Sequence, residues 1–162
     1  MADAPESLTI FAPARLHMGF VDLTGGQGRR FGSLGLTLDD IGTRVHAHVA
    51  RGFAVAGEDA PRAQRHLAKL RREWKLQHPV ALITEQSMQP HSGLGSGTQL
   101  ALAVGTATAK LNDLDVSPRQ IADLLDRGNR SGIGLGAFEY GGFLVDGGRG
   151  ALPGFRDAGA RL

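Results

Sequence analysis

Cysteine is absent from this sequence of 162 residues. Disulfide bonds, thiolate nucleophiles and cysteine-ligated metal sites are therefore excluded. The sequence also lacks an apolar run long enough to span a bilayer, and residues 1–6 are polar, without the apolar core of a signal peptide. We therefore expect a cytoplasmic protein without a membrane partner.

Lysine is also scarce, with three residues against fifteen arginines. Guanidinium groups bind phosphates and carboxylates through a planar fork of donors, so an arginine-rich sequence favours anionic ligands. The formal net charge is only +2, and no run of basic residues is present. This low charge argues against a nucleic-acid partner.

Glycine is abundant, and its most informative cluster lies in residues 90–99, Pro-His-Ser-Gly-Leu-Gly-Ser-Gly-Thr-Gln. The apolar residues 80–83 predict a buried strand before this loop, and residues 100–111 predict a helix after it. A glycine-rich turn that leads into a helix offers close backbone approach and unpaired N–H groups to an anion. An ordinary tight turn with a Ser or Thr cap is the alternative. The candidate phosphate-binding residues are Gly93, Leu94, Gly95, Ser96, Gly97 and Thr98.

The segments before the loop predict strands. Residues 7–13 and 14–23 are strand-like, and residues 33–38 and 43–50 look like a pair joined by a turn at residues 39–42. The sequence therefore predicts a sheet that precedes the loop along the chain.

Two helices are predicted outside the loop region. Residues 61–76 form the clearest amphipathic helix, with Trp74 on its apolar face and Arg62 among the basic residues that we interpret as a solvated face. Ser117 and the proline after it open a second helix that stops near residue 128. These helices are expected to cover the sheet.

Two histidines share one face of the strand at residues 43–50. His46 and His48 have the spacing of a metal-binding pair, but no third ligand is placed by spacing, so we interpret them as surface histidines. A closing strand is predicted at residues 142–146.

The order of three segments resembles the N-terminal half of the GHMP small-molecule kinase superfamily. These segments are Pro-Ala-Arg-Leu-His-Met-Gly at residues 13–19, Pro-His-Ser-Gly-Leu-Gly-Ser at residues 90–96, and the glycine-rich residues 131–142. The resemblance implies an α+β fold of the ribosomal protein S5 domain 2 type, a mixed or antiparallel sheet with helices on one face. It implies one domain over residues 1–148, a linker or frayed end at 149–162, and a C-terminal GHMP domain absent from this chain.

Two departures distinguish the sequence from the kinases of that superfamily. Gly97 stands where the kinases usually carry a second loop serine that helps to hold magnesium, and Gly134 stands where they carry a catalytic aspartate. Longer matches at residues 15–23, 93–99 and 130–148 resemble the β-ribofuranosylaminobenzene 5′-phosphate synthase family. Kinase activity is therefore disfavoured.

The resemblance implies an enzyme that condenses phosphoribosyl pyrophosphate with 4-aminobenzoate and releases pyrophosphate and carbon dioxide, as in methanopterin biosynthesis. It further implies Mg²⁺ as a companion of the pyrophosphate. A homodimer, or a separate C-terminal half, would complete the site. The alternatives are an ATP-dependent small-molecule kinase of the GHMP type and a non-catalytic fragment that needs a partner half.

The resemblance also implies roles for polar residues outside the loop. The candidate catalytic residues are Arg15, His17, Asp22 and Glu139. Further candidate phosphate-binding residues are Arg29, Arg30 and Arg130, and the candidate metal ligands are Asp146 and Thr98. Each has a structural alternative: a core histidine, carboxylates that cap turns, a solvent-facing glutamate, or solvated arginines in a loop.

Overall fold

A computed structural model describes residues 6–22, 28–30, 32–128 and 131–150 of the chain. The strands are β1 (Ser7–Asp22), β2 (Arg29–Arg30), β3 (Gly32–Val49), β4 (Ala54–Gly57), β5 (Val80–Gln86), β6 (Phe143–Asp146) and β7 (Arg149–Gly150). The helices are α1 (Ala60–Trp74), α2 (Ser96–Leu111), α3 (Pro118–Leu124) and α4 (Ile133–Glu139).

The main sheet has five strands and is mixed, which is one of the two arrangements that the family resemblance implies. Four strands follow the order β1-β3-β5-β4, and β6 pairs with β3 beside β5. All pairings are antiparallel except that of β4 with β5, which is parallel. β3 is thus the central strand, with β1 along one edge and both β5 and β6 along the other.

The turn predicted at residues 39–42 is wrong. β3 is one strand of 18 residues, and both of its halves pair with β1, as Leu8 with Ala47 and Leu16 with Leu36 show. The register shifts between Pro13 and Ala14, so residues 39–41 form an irregularity inside the strand. β1 is long enough to pair along the whole of β3, and this pairing overrides the local turn pattern.

The helices pack on one face of the sheet. Inward side chains such as Val45 and Leu82 join the central helix α2, on which Leu100 and Val104 are fully buried. Trp74 of α1 is partly buried against this core, which confirms its predicted position. These features confirm an α+β fold with a single layer of helices.

Helix α4 approaches the sheet closely at one position. The Cγ2 methyl of Ile133 occupies the space in which a Cβ atom on Gly35 of β3 would stand. A glycine at this point of β3 therefore lets the backbone of α4 sit directly against the strand. This packing fixes the segment that begins at Ser131 relative to the sheet.

One further local prediction is confirmed, and two elements were not predicted. The capping box at Ser117 and Gln120 confirms the predicted start of α3. The sequence did not predict β4 or α4, and β2 pairs with β7 in a short ribbon.

Within the part of the chain that the structure describes, no helix combines the length and apolarity needed to cross a bilayer.

Candidate functional site

The glycine-rich loop joins β5 to α2, and Arg15 of β1 holds it in place. Gly95 adopts the left-handed φ of 83°, which glycine reaches without a steric cost, and α2 begins at the next residue. The Nη1 of Arg15 donates to the carbonyl oxygen of Gly93 at 2.6 Å. The backbone N–H of Arg15 donates to the carbonyl oxygen of Leu94 at 3.0 Å. The loop therefore presents the N-terminus of α2 beside a guanidinium group.

Two further arginines meet the same helix terminus. A Cβ atom on Gly97 would lie 3.4 Å from Nη1 of Arg127 and 3.8 Å from Nη1 of Arg62. Arg62 also forms an ion pair with Asp59, the residue that precedes α1. Three cationic side chains thus surround the first turn of α2, where the helix dipole is positive.

Two adjacent cavities open around this cluster. The first, here called the loop cavity, has a volume of about 540 Å³ and is lined by the loop together with Arg15, Arg62, His91 and Arg127. The second, here called the His17 cavity, has a volume of about 580 Å³. Arg15, Thr98 and Arg127 line both. No described carboxylate lines the loop cavity, so its walls favour an anionic ligand.

The His17 cavity has an aromatic side. The rings of His17 and Phe20 lie 4.7 Å apart between centroids. Burial lowers the pKa of His17, Arg15 lowers it further, and Asp146 partly opposes both effects. Its ring is therefore neutral at pH 7 and can accept a proton or a hydrogen bond.

Asp146 holds the segment around Ser131, a residue that lines the His17 cavity. Its Oδ2 accepts hydrogen bonds from the Gly132 N–H at 2.6 Å and from the Ser33 hydroxyl at 3.4 Å, and its Oδ1 accepts one from the Gly148 N–H at 2.9 Å. The hydroxyls of Ser33 and Ser131 lie 2.8 Å apart. Both oxygens of this buried carboxylate are thus engaged in holding β3, β6 and the start of α4 together.

The start of α4 also contacts the start of α2. A Cβ atom on Gly134 would lie 3.1 Å from Cγ2 of Thr98. The buried Gln99 donates from Nε2 to the carbonyl oxygen of Gly134 at 2.7 Å. Thr98 therefore fills the space beside Gly134, the position at which the related kinases are expected to carry an aspartate.

The remaining predicted site residues lie elsewhere or outside the described residues. Glu139 is exposed at the end of α4, Arg30 is exposed in the β2–β7 ribbon, and neither lines the loop cavity or the His17 cavity. The structure describes only the backbone of Asp22 and Arg29, and Arg130 lies outside the described residues. The roles suggested for these five residues stay predictions.

The predicted surface histidines lie away from the loop. His46 and His48 are half-buried on β3, and their ring centroids are 6.0 Å apart. Among the described residues, no group of three or more histidine or carboxylate side chains is arranged to hold a metal ion.

Sequence reasoning missed Arg62 and Arg127. Arg62 was assigned to a solvated helix face, and Arg127 was not singled out. They are 65 positions apart in the sequence, and only the packing of α1 and α3 around α2 brings them together. The one local indication is that Arg62 occupies the first turn of α1, where a basic residue is unfavourable next to the helix dipole.

Comparison with known proteins agrees with this architecture. The sequence profile described as "GHMP kinases N terminal domain" matches residues 62–142, half of the chain. The chain belongs to the GHMP kinase N-terminal domain family. The match includes the loop, α2, α3 and α4, and therefore most of the site described above.

Two archaeal relatives confirm the finer resemblance. A protein named beta-ribofuranosylphenol 5′-phosphate synthase from Archaeoglobus fulgidus is 36% identical over 141 residues, which cover 87% of this chain and 45% of the relative. Its namesake from Methanocaldococcus jannaschii is 37% identical over 154 residues, which cover 87% and 47%. The GHMP-type chain thus spans about half the length of the curated relatives that it matches.

Solved structures support the fold. Streptococcus pneumoniae phosphomevalonate kinase aligns with a TM-score of 0.65 and 16% identity, over 91% of this chain and 50% of the kinase. Methanococcus jannaschii mevalonate kinase aligns with a TM-score of 0.64 and 11% identity, over 85% and 52%. At these identities the likeness shows that the chain has the GHMP fold, and it does not choose an activity.

Proposed function

We propose that this chain is the diphosphate-binding half of a synthase that transfers a phosphoribosyl group from phosphoribosyl pyrophosphate to an aromatic acid, as in methanopterin biosynthesis. The observation that carries the proposal is the convergence of Arg15, Arg62 and Arg127 on the N-terminus of α2, in a cavity that no described carboxylate lines. The names of the archaeal relatives support the ribofuranosyl phosphate product.

The loop would stabilise the leaving group. As the anomeric C–O bond breaks, positive charge develops on the sugar carbon and negative charge on the departing diphosphate oxygens. Preorganised donors placed at such oxygens lower the barrier, and the loss of one donor commonly costs roughly 3 kcal/mol. The N–H groups at residues 93–97, the hydroxyls of Ser96 and Thr98 and the Arg15 guanidinium are the proposed donors.

The acceptor would lie in the His17 cavity. A ring carbon forms the new bond to the anomeric carbon, the bond from that ring carbon to its carboxylate breaks, and carbon dioxide leaves. The electron pair of the anomeric C–O bond departs with pyrophosphate, so atoms and charge balance without a further co-reactant. The relatives' names contain a phenol, and we therefore propose a para-substituted benzoate that carries a hydroxyl or an amino group.

Mg²⁺ enters this proposal as a companion of the substrate's diphosphate. The described residues do not fit a metal held by the protein. No described carboxylate lines the loop cavity, both oxygens of Asp146 accept hydrogen bonds, and Asp126, the carboxylate in the His17 cavity, is paired with Lys69. Thr98 offers a hydroxyl at the site, but one hydroxyl does not form a cation site by itself. No step above depends on a protein-held metal.

Turnover is proposed to need the segment that corresponds to the other half of the relatives, either as a separate half or through a homodimer. A GHMP-type kinase remains the competing function, because the same loop would accept the phosphates of ATP. A non-catalytic fragment is the third possibility. Binding by this chain and turnover by the completed site therefore require separate measurements.

The first test is thermal unfolding of the chain with phosphoribosyl pyrophosphate or ATP over a concentration series. A ligand at one hundred times its dissociation constant stabilises the folded state by about 2.7 kcal/mol. Selective stabilisation by phosphoribosyl pyrophosphate is expected. Selective stabilisation by ATP would favour the kinase, and no response to either ligand would contradict phosphate binding by this half.

The second test is release of labelled carbon dioxide from carboxyl-labelled 4-aminobenzoate and 4-hydroxybenzoate. It should be run with the chain alone and with the chain joined to the C-terminal half of the A. fulgidus relative. Release that depends on phosphoribosyl pyrophosphate is expected from the joined protein. Transfer of the γ-phosphate of ATP by that protein, without such release, would contradict the synthase.

A further inference from the structure

We propose that Arg62 and Arg127 form a guanidinium clamp over Gly97 that binds the second phosphate of a diphosphate and makes the site selective for diphosphate over monophosphate. The inference rests on the proposed function, since it refines how the loop cavity holds the leaving group. It assigns a binding role to two residues that the loop motif itself does not contain.

Both guanidinium groups lie beside the same residue, Gly97. Their Nη1 atoms each lie within 4 Å of the position of a Cβ on Gly97, in the first turn of α2. A side chain at this residue would point directly at the pair. The kinases are expected to carry a magnesium-binding serine at this position. The clamp therefore places two fixed cations where the kinases are expected to bind a metal ion.

Only one of the two arginines forms an ion pair among the described residues. Asp59 pairs with Arg62, but the Nε of Arg62 is buried without a hydrogen-bond partner among the described residues. Arg127 forms no ion pair among the described residues, but the neighbouring carboxylate of Asp126, which pairs with Lys69, acts on its charge. The Nε of Arg127 is also buried without a hydrogen-bond partner among the described residues. Asp59 and Asp126 thus lie near the two guanidinium groups, while the Nη1 atoms of both arginines lie beside Gly97 at the start of α2.

The electrostatic surroundings report the same excess of positive charge. His66 of α1 lies near the clamp and is buried, with only 7% of its surface exposed. Its pKa is lowered to about 4 by burial first, then by Arg127, Arg62 and Arg65, with Asp59 in opposition. Among the charged neighbours of His66, Arg127 and Arg62 lower this pKa most, so the two guanidinium groups give the region a positive potential that attracts an anion.

A diphosphate fits this arrangement better than a monophosphate. One phosphate can use the N-terminus of α2 and Arg15, which lies against Gly95. The second phosphate, joined through the bridging oxygen, can reach the clamp above Gly97. Guanidinium forks bind phosphate oxygens in pairs, which adds geometric selectivity to the charge attraction.

The test is isothermal titration calorimetry with inorganic pyrophosphate and inorganic phosphate, in buffer with EDTA and in buffer with Mg²⁺. The proteins are the unchanged chain, Arg62→Gln, Arg127→Gln and Arg127→Lys. Arg65→Gln is the matched control, because Arg65 is exposed on the same helix and lines neither cavity. The unfolding temperature of each variant verifies folding, and Arg127→Lys keeps the charge if a glutamine variant does not fold.

The clamp predicts that the unchanged chain binds pyrophosphate with EDTA present, about tenfold or more tightly than phosphate. Each glutamine variant should weaken pyrophosphate binding by about tenfold or more, as expected for the loss of charged hydrogen bonds. Phosphate binding should change by less than about threefold, and Arg127→Lys should fall between the two. Arg65→Gln should bind pyrophosphate like the unchanged chain.

Three results would overturn the clamp: undiminished pyrophosphate binding in both glutamine variants, an equal loss in Arg65→Gln, or no pyrophosphate binding by the unchanged chain. The proposed function is judged apart from these, by stabilisation with phosphoribosyl pyrophosphate. If that stabilisation persists while Arg62→Gln and Arg127→Gln behave like the unchanged chain, the loop retains its role and only the clamp fails.

Discussion

The Cγ2 methyl of Ile133 packs directly against Gly35 and leaves no room for a Cβ atom on that glycine. We therefore expect Gly35→Ala to destabilise the fold by about 1–3 kcal/mol, the usual cost of overpacking a core. Urea unfolding measures this change. The displacement of α4 should also weaken the contacts of Ser131 and Gly132 with Ser33 and Asp146.

The matched control for this prediction is a double-mutant cycle. Ile133→Ala removes the clashing methyl but leaves a cavity, so it is destabilising alone. When Ile133→Ala is combined with Gly35→Ala, the added methyl group fills part of that cavity. The double variant should therefore lose less stability than the sum of the losses in the two single variants. Additive losses would show that the two residues do not compete for the same space.

Arg127→Gln should raise the stability of the ligand-free chain while it weakens anion binding. Burial lowers the pKa of Arg127 and the nearby Arg62 lowers it further, with Asp126 in partial opposition, so the folded state on balance disfavours the charge of Arg127. Removing this charge should increase the free energy of unfolding at low salt by less than about 1 kcal/mol, because Arg127 is partly exposed and solvent screens its charge. Added pyrophosphate should reverse the order of stability. A less stable Arg127→Gln at low salt would contradict this account.

The pKa of His17 should respond in opposite directions to two substitutions. Arg15 lowers this pKa and Asp146 raises it, although burial is the largest effect. Arg15→Gln should therefore raise the pKa of His17, and Asp146→Asn should lower it. Titration of the imidazole proton signals by NMR measures both shifts. Shifts of the same sign would mean that altered burial, rather than charge, dominates.

His66 should make the fold sensitive to mild acid. Its pKa is about 4 in the folded chain and near 6.5 when unfolded, so between these values the unfolded state binds more protons. Stability is fully present above pH 6.5 and is lost as the pH falls towards 4, by an amount on the order of 3 kcal/mol at most.

His66→Gln should flatten this part of the profile. The measurement is the free energy of urea unfolding of both proteins at several pH values between 7 and 4, compared as a difference because carboxylates also titrate at the acid end. Equal slopes for the two proteins above pH 5 would show that His66 is not the group responsible.

The sequence predicts the parts of this fold that local chemistry determines. The glycine-rich loop, the helix after it and the capping box at Ser117 follow from residues within one turn of each other. The turn expected at residues 39–42 fails because pairing with β1 outweighs local turn preference. α4 was missed because Gly134 and Gly136 are poor helix formers, and its formation depends on packing against the sheet.

The candidate site divides in the same way. The loop and Arg15 could be found from sequence because they lie in recognisable motifs. Arg62, Arg127 and the bonds made by Asp146 depend on contacts between distant segments, which periodicity and spacing do not reveal. Glu139 looked suitable by residue type, yet it is exposed and lines neither cavity.

The placement of β6 against β3 has a consequence for the order in which the chain assembles. β1 and β3 are neighbours in the sequence and can form their long hairpin early. The hydrogen bond from Ser33 to Asp146 joins residues 113 positions apart and can form only after β6 has been added to the sheet. Contacts between such distant segments carry a larger loop-closure cost and form slowly. We therefore expect the wall of the His17 cavity to close last, after the loop and α2 have already docked on the hairpin, and during synthesis only once β6 has left the ribosome.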